Sequence, residues 1–222
     1  MSTGSPEWAI ERIPADDAGF EFYLKEYKPF RLNALKQDPQ AFGSTYAREV
    51  AFEDEDWSKR LRNPIAKTFV VVRLCDRRIL AATTLFGPMP NAELLSNPNL
   101  ASTTAGAHGE TDVTPLLYQL TGVYTRAEAR GQGLGQAVVK VATECTYEEG
   151  RGRGRECKLM VDVYTTNTVA IAFYDKCGFA IHGPRPVDSD SDDSRPELLM
   201  QYRDPHDAHA KQLEMKGQRH CG

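Results

Sequence analysis

The stretch that decides the fold is residues 120–135, LTGVYTRAEARGQGLG. It begins as an apolar run, passes through a short polar connection and ends with the glycines Gly131, Gly133 and Gly135. Apolar and small residues then recur at helical spacing over 134–145, so the pattern predicts a strand, a tight glycine turn and a helix. Free N–H groups at a helix start, together with the positive end of the helix dipole, favour a phosphate or pyrophosphate.

The glycine spacing distinguishes between the known kinds of phosphate-binding loop. A dinucleotide fingerprint requires a glycine three residues after its second one, and after Gly133 that position is Gln136. A P-loop requires Gly-Lys-Ser/Thr, which does not follow here. What fits is Arg/Gln-x-x-Gly-x-Gly/Ala, matched by Arg130, Gly133 and Gly135. This string resembles the coenzyme A pyrophosphate loop of the Gcn5-related N-acetyltransferase (GNAT) superfamily; an ordinary turn before a helix is the alternative.

A second motif downstream strengthens the resemblance. Residues 157–163, CKLMVDV, are predicted to form a strand. In the GNAT pattern the fifth strand is followed by Asn, a short helix that carries a Tyr, and then Gly-Phe. The matching residues appear here in that order: Asn167, Ala170, Tyr174, Gly178 and Phe179. Two motifs in the usual order are more specific than either alone.

The resemblance implies an α/β fold of the α+β type. Its mixed, mostly antiparallel central sheet would have about six to seven strands, flanked by helices and splayed between strands 4 and 5. A chain of 222 residues suits one domain with a sizeable core. We therefore expect a single domain over 1–222, with a core at about 8–203 and a polar tail at 204–222.

Apolar patterning predicts further elements along the chain. The predicted strands are at 8–13, 68–74, 79–86, 116–125 and 197–202. A helix over 16–38 should be broken near Pro29 and ended by Asp38-Pro39, because a residue before proline avoids the α region. A second helical segment is predicted over 46–62. Residues 87–114, rich in Pro, Gly, Ser, Thr and Asn, are either a surface insertion or a substrate lid.

Composition bears on the class of protein. A net charge of −4 gives no general case for nucleic-acid binding. The GRGRGR run at 150–155 is short and lies between a helix and a strand, so it indicates a helix-ending loop rather than an RNA-binding repeat. The acidic run at 188–193 is predicted to be a mobile loop, with attraction of a cationic acceptor as the alternative.

Cysteine usage and hydropathy bear on location. The chain has five cysteines without C-x-x-C spacing, which favours reduced thiols in an intracellular protein. No apolar run approaches the roughly 20 residues of a membrane span, and the N-terminus lacks the regions of a signal peptide. We expect a cytoplasmic monomer or homodimer with neither nucleic-acid nor membrane partners.

The resemblance implies that the glycine turn binds acetyl-CoA. Backbone N–H groups of the turn would hold the coenzyme A pyrophosphate, with added charge from Arg130. The residues of the turn are Arg130, Gly131, Gln132, Gly133, Leu134 and Gly135. Val123, Tyr124 and Thr125 occupy the positions that pair with pantetheine in the family, where an N–H can polarise the acetyl carbonyl.

A helix after the fifth strand carries the remaining predicted contacts to the cofactor. Asn167, Ala170, Ile171 and Tyr174 are spaced to share one helix face, and Phe173 lies beside them. In the family the tyrosine often protonates the departing thiolate, a task that suits a phenol with a pKa of about 10. The alternatives are a helix cap for Asn167 and a packed aromatic for Tyr174.

The acceptor and the general base are the least determined parts of the site. The resemblance implies an N-acetyltransferase whose acceptor is a small-molecule or peptide primary amine that attacks directly in a ternary complex. A non-catalytic acyl-CoA-binding regulatory protein is the alternative. Asp162, Glu49, Glu53 or a water chain could take the amine's proton. Residues 31–43 loosely resemble the acceptor side of some small-molecule and peptide-end acetyltransferases. No metal site is predicted.

Overall fold

The computed structural model describes residues 7–89, 114–185 and 195–204. The acidic run at 188–193 therefore lies outside the described residues, as do most of the insertion at 87–114 and nearly all of the tail at 204–222. None of the described helices is both long and apolar enough to span a membrane.

Strands and helices alternate in a pattern close to the predicted one. The strands are β1 (Trp8–Arg12), β2 (Ala66–Arg73), β3 (Ile79–Met89), β4 (Leu116–Thr125), β5 (Cys157–Tyr164), β6 (Phe179–Pro184) and β7 (Glu197–Tyr202). The α-helices are α1 (Asp17–Phe22), α2 (Lys28–Gln37), α3 (Tyr46–Val50), α4 (Asp54–Leu61), α5 (Leu134–Gly152) and α6 (Thr168–Lys176).

The strands form one mixed sheet in the order β1-β2-β3-β4-β5-β7-β6. Among the described strands only β4 and β5 pair in parallel, and the other neighbours are antiparallel. Pairing between β4 and β5 runs from Leu116↔Cys157 to Leu120↔Val161. Beyond that point β4 continues to Thr125 and β5 to Tyr164 without pairing to each other. The predicted mixed sheet and its splay between the fourth and fifth strands are confirmed.

Helices cover both faces of the sheet. On one face, Leu134 and Val138 of α5 join Leu120 and Val161 in a buried cluster. On the other face, α1, α2 and α4 bury a cluster that includes Trp57. Trp57 is fully buried, and burying aromatic side chains of this size supplies much of the hydrophobic driving force. The two clusters fix the sheet between the helices.

Two helical predictions need correction. The predicted helix at 46–62 is two helices, because Glu53 begins α4: its N–H donates to Asp56 Oδ2 at 3.1 Å in a capping box. Over 16–38 the interruption is a π-helical turn at Tyr23–Tyr27 that leads into α2, where Pro29 stands in the first turn. The predicted end at Asp38-Pro39 is confirmed, since Asp38 is the C-cap of α2.

The GRGRGR run is where α5 ends, as predicted. The helix ends at Gly152, and Arg153-Gly154 forms a turn before β5. Gly154 has a φ of +63°, a conformation that glycine adopts without strain. Among the described residues, Cys75, Cys145, Cys157 and Cys177 are free thiols.

Candidate functional site

A cavity of about 1080 Å³ opens where β4 and β5 diverge. It is lined by the end of β4 with the glycine turn, by the end of β5, by most of α6, and by Arg31 of α2 with the connection after that helix; Glu197 of β7 also lines it. Cavities of this size hold large ligands. The divergence of the strands leaves backbone groups on both inner edges without a strand partner across the opening, so an extended ligand can take their place.

The glycine turn presents bare backbone to the cavity. Gly131 and Gly133 both line it, with φ values of +77° and +76°. A Cβ added to either would meet no atom within 4 Å, so a side chain there would project into open space. Gly133 is the N-cap of the 19-residue helix α5. The N–H groups in the first turn of α5 and the positive end of the α5 dipole therefore make this end of the helix attractive to an anion.

Gly135 is required for a different reason. A Cβ there would lie 2.9 Å from Thr125 Oγ1 and 3.2 Å from Phe173 Cε2. The start of α5 consequently packs closely against the end of β4 and against α6, which brings both predicted motifs to one place.

A β-bulge shapes the end of β4. Tyr124 pairs with Ala82 but Thr121 pairs with Thr84, so β4 carries one extra residue at this point. Gly122, with a φ of +60°, lies within the bulge. Sequence reasoning did not identify this feature, although an isolated glycine in a strand pattern is its usual signal.

All of the β4 and glycine-turn residues predicted to contact the cofactor lie at or beside the cavity. Lining residues from this part of the chain are Val123, Tyr124, Thr125, Arg130, Gly131, Gly133, Leu134 and Gly135. Gln132 does not line the cavity; its amide instead donates to the carbonyl of Glu128. Gln132 is therefore the one residue of the predicted turn that the structure does not place on the cavity wall.

Arg130 is engaged by a carboxylate that sequence reasoning missed. Its Nη2 lies 2.7 Å from Asp38 Oδ2, and Tyr124 Oη donates to the same oxygen at 2.9 Å. Burial and this hydrogen bond raise the pKa of Tyr124. Asp38 comes from the end of α2, far away in sequence, and its only sequence signal was helix termination before Pro39.

Asn167 both caps α6 and lines the cavity. Its Oδ1 accepts a hydrogen bond from the N–H of Ala170 at 3.1 Å, so Asn167 is the helix N-cap. Asn167, Ala170, Phe173 and Tyr174 all line the cavity. Ile171 does not; it packs against the hydrophobic core under the sheet, because its position on the helix turns it away from the opening.

Tyr174 lies deep in the site. It is 7% exposed and makes edge-to-face contacts with Phe173 and Phe179 at centroid distances of 5.2 and 5.6 Å. Burial, with a smaller effect of nearby Cys177, raises the pKa of the Tyr174 phenol. In the described part of the chain its hydroxyl has no hydrogen-bond partner. A protonated phenol is thus present at the cavity wall and is available to donate.

The three candidate bases differ in their surroundings. Glu49 is fully buried and does not line the cavity. Burial alone would raise the pKa of Glu49, but hydrogen bonds from Arg31 and Arg60 outweigh it and lower the pKa to about 2. Glu53 caps α4, also away from the cavity. These positions leave neither carboxylate available to an acceptor.

Asp162 is the candidate that lines the cavity. Its Oδ2 accepts from Gln119 Nε2 and pairs with Arg185. Its Oδ1 is buried, with no hydrogen-bond partner among the residues that the structure describes. Asp162 therefore places a carboxylate on the cavity wall where β4 and β5 stop pairing, bonded across to Gln119 of β4.

The connection after α2 closes the cavity from the side of β5. Arg195 Nη2 donates to Phe42 O at 3.0 Å and to Tyr164 Oη at 2.8 Å. Phe42, Gly43 and Tyr164 line the cavity. The loosely predicted acceptor side at 31–43 thus lies against the end of β5.

Comparisons with known proteins agree with this architecture. The model of the acetyltransferase (GNAT) family matches residues 32–179, about two thirds of the chain. The acetyltransferase of GNAT family from Streptococcus pneumoniae shares 15% identity at a TM-score of 0.55, covering 88% of this chain and 98% of that one. A spermidine N-acetyltransferase from Vibrio cholerae, in complex with CoA and spermine, shares 12% identity at a TM-score of 0.54. The match covers 88% of this chain and 94% of that one.

A plant structure has a similar fold. Arabidopsis thaliana Naa50, in complex with the bisubstrate analogue CoA-Ac-MVNAL, shares 12% identity at a TM-score of 0.52, covering 90% of this chain and 100% of that one. At these identities the likenesses show the fold. A comparison with curated proteins found no match.

Proposed function

The chain belongs to the GNAT acetyltransferase family, and from this premise we propose that it is an acetyl-CoA-dependent N-acetyltransferase. Its acceptor would be a primary amine that attacks directly in a ternary complex. One observation carries the proposal: the glycine turn and the Tyr174 phenol line the same cavity, at the point where β4 and β5 diverge. That arrangement supplies an anion-binding end and a proton donor in one opening.

Acetyl-CoA would supply the activated acetyl thioester. The open backbone at Gly131 and Gly133 fits a pyrophosphate, because the space that a Cβ would enter at either glycine is free of other atoms to 4 Å. The edge of β4 that faces the opening, at residues 123–125, fits an extended pantetheine arm with amide groups. Asn167 and Ala170 face it from α6.

Two side chains are proposed to move protons. Tyr174 donates to the departing thiolate, since its raised pKa keeps the phenol protonated at neutral pH. Asp162 accepts a proton from the acceptor ammonium, since it is the candidate carboxylate on the cavity wall. Gln119 and Arg185 hold Asp162 in place through Oδ2.

Structural neighbours support an amine acceptor. One of them is a spermidine N-acetyltransferase, and another is in complex with the bisubstrate analogue CoA-Ac-MVNAL. A non-catalytic acyl-CoA-binding protein is the second candidate function. The retention of Tyr174 and Asn167 in the cavity favours turnover, because binding alone does not require a proton donor beside the acetyl position.

Thiol release from acetyl-CoA, measured against a panel of amines, amino acids, peptides and aminoglycosides, tests the proposal. We expect release that depends on one class of acceptor and a stable acetylated product by mass spectrometry. Titration calorimetry with acetyl-CoA is the companion measurement. Tight binding without release for any acceptor would support the non-catalytic function, and absence of binding would contradict both functions.

A further inference from the structure

Arg31 of α2 is held rigidly beside the cavity. Its Nε and Nη2 donate to the two oxygens of Glu49 at 3.1 and 2.9 Å. Its guanidinium carbon lies 4.6 Å from the centroid of the Phe42 ring. The side chain is 13% exposed. A bidentate carboxylate on one edge and an aromatic ring against one face fix the plane of this guanidinium before any ligand arrives.

The third nitrogen of Arg31 is directed elsewhere. Arg31 lines the cavity, and a Cβ added to Gly122 would lie 3.7 Å from Nη1. Nη1 therefore lies beside the β4 bulge, where glycine leaves the space free of a side chain. Within the described ranges Nη1 has no hydrogen-bond partner. A guanidinium nitrogen that faces a cavity without a partner is suited to an anionic oxygen.

The charges around Glu49 do not cancel. Arg60 Nη1 also binds Glu49, at 3.0 Å, so two guanidinium groups share one carboxylate. The low pKa of Glu49, about 2, keeps it ionised, and the cluster carries an excess positive charge. Arg60 does not line the cavity, whereas Arg31 does. Arg31 is therefore the residue of this cluster that brings the excess positive charge to the cavity wall.

The two other cations of the cavity wall belong to its cofactor side. Arg130 of the glycine turn is paired with Asp38. Lys176 stands at the end of α6, where it also lines a smaller cavity together with Gln136 of α5. Neither cation competes with Arg31 for a group bound beside the β4 bulge.

Two carboxylates line the same cavity as Arg31 but come from strands rather than from α2. Asp162 and Glu197 add negative charge on the side of β5 and β7, where Arg185 pairs with both. The acceptor side thus offers a cationic donor from α2 and carboxylates from β5 and β7. This arrangement matches a ligand that carries both charges.

Building on the proposed function, we propose that the acceptor is a small amine that also carries a carboxylate, with a free amino acid as the simplest case. Arg31 binds the carboxylate through Nη1, and the ammonium group faces Asp162. Arg31 is then a residue that determines acceptor specificity. An acceptor in which the carboxylate is replaced by an amide or a hydrogen leaves this guanidinium donor without its anion.

Matched acceptors test the proposal in the unmodified protein. Each free amino acid of a panel is compared with its amide and with its decarboxylated amine, by thiol release from acetyl-CoA. We expect kcat/KM for the carboxylate-bearing member of the preferred set to exceed that of its amide by at least about 10-fold. N-acetylated amino acids should also inhibit more strongly than their amides, which gives a second readout without any variant.

Variants assign the preference to Arg31. Arg31→Gln should abolish the discrimination between acid and amide, and Arg31→Lys should retain part of it, while affinity for acetyl-CoA stays within about threefold. Arg62→Gln is the control: it removes a guanidinium that pairs with Asp17 rather than with Glu49 and that does not line the cavity, so the acid-to-amide ratio should be that of the parent. Circular dichroism confirms that each variant is folded.

The outcomes separate this proposal from the function on which it rests. Acetylation of amides or decarboxylated amines as fast as of the free acids would overturn the carboxylate site and leave the N-acetyltransferase function intact. An unchanged acid-to-amide ratio in folded Arg31→Gln would overturn the role of Arg31. Failure of every amine, with acetyl-CoA bound, would overturn both.

Discussion

The Arg130 guanidinium and the Asp38 carboxylate lie 2.7 Å apart, and this ion pair joins the glycine turn to the end of α2. The guanidinium carbon of Arg130 also lies 5.5 Å from the centroid of the Tyr124 ring. The hydroxyl of Tyr124 donates to the same Asp38 oxygen. The proposed cofactor side and the proposed acceptor side of the cavity are therefore held together by one carboxylate.

Arg130→Gln should weaken acetyl-CoA binding only modestly. Half-exposed Arg130 has its charge largely countered by Asp38, and backbone N–H groups are proposed to hold the pyrophosphate. We expect a loss of affinity below about 10-fold, in line with the small energies of exposed ion pairs. Titration calorimetry measures it. A loss of 100-fold or more would mean that Arg130 leaves Asp38 and binds the phosphates directly.

Gly133→Val should abolish detectable acetyl-CoA binding, because the new side chain would enter the open space of the glycine turn. The φ of +76° adds backbone strain, so a matched control is needed. Gly154→Val supplies it: Gly154 has a φ of +63°, also has open space around it, and does not line the cavity. Gly154→Val should bind like the parent. If the parent, Gly133→Val and Gly154→Val all bind acetyl-CoA with equal affinity, the phosphates bind elsewhere.

Gly135→Val should lower stability. Its Cβ would fall 2.9 Å from Thr125 Oγ1 and 3.2 Å from Phe173, closer than ordinary contact. We expect a loss of about 1 to 3 kcal/mol in the free energy of unfolding, the usual range for overpacking. Gly152→Val, in the same helix with no atom within 4 Å of its Cβ, should change it by less than about 0.5 kcal/mol. Urea denaturation compares the two, and equal effects would contradict close packing at Gly135.

The predictable parts of the molecule are those encoded by local patterns. Leu116–Thr125 and Glu197–Tyr202 have the predicted bounds, because apolar runs between turn residues identify strands directly. The break at residues 51–53 was missed because a capping box with glutamate and aspartate is a weaker signal than continuous amphipathic spacing.

The proposed acceptor side was less predictable, because it depends on contacts between distant segments. Asp38 meets Arg130 across 92 positions of sequence, and Arg31 meets Glu49 across 18. Neither pairing leaves a local spacing signal. The glycine turn differs, since the contacts proposed for it come from consecutive backbone groups that a short motif specifies.

Glu49 should give the stability a pH dependence on the acid side. Its pKa is lowered from 4.5 in the unfolded chain to about 2 in the folded protein. A depressed carboxyl pKa stabilises the fold at pH values above about 4.5, and this contribution is lost as the pH falls towards 2. Glu49→Gln should cost about 3 kcal/mol at pH 7, because it leaves two guanidinium groups without their carboxylate.

The difference in unfolding free energy between parent and Glu49→Gln should therefore shrink between pH 4.5 and pH 2. Chemical denaturation across this range measures it. Glu55→Gln is the control, since the Lys59–Glu55 pair is solvent-exposed on both sides and should contribute little at any pH. If the difference in unfolding free energy between parent and Glu49→Gln stays constant down to pH 2, Glu49 acts through packing rather than through its charge.

Tyr174→Phe should lower kcat by about 10- to 1,000-fold, within or near the usual range for one acid–base group. The variant keeps the ring and its contacts with Phe173 and Phe179, and it removes only the hydroxyl proposed to protonate the thiolate. Affinity for acetyl-CoA should change little, because the pyrophosphate contacts lie at the glycine turn. Since burial raises the pKa of the Tyr174 phenol, the phenol stays protonated, and its ionisation should not limit the rate near neutral pH.

Tyr202→Phe is the control, because it removes a hydroxyl that does not line the cavity. Turnover of Tyr174→Phe at the parent rate, with chemistry rate-limiting, would make Tyr174 a packing residue and assign the proton to water or another group.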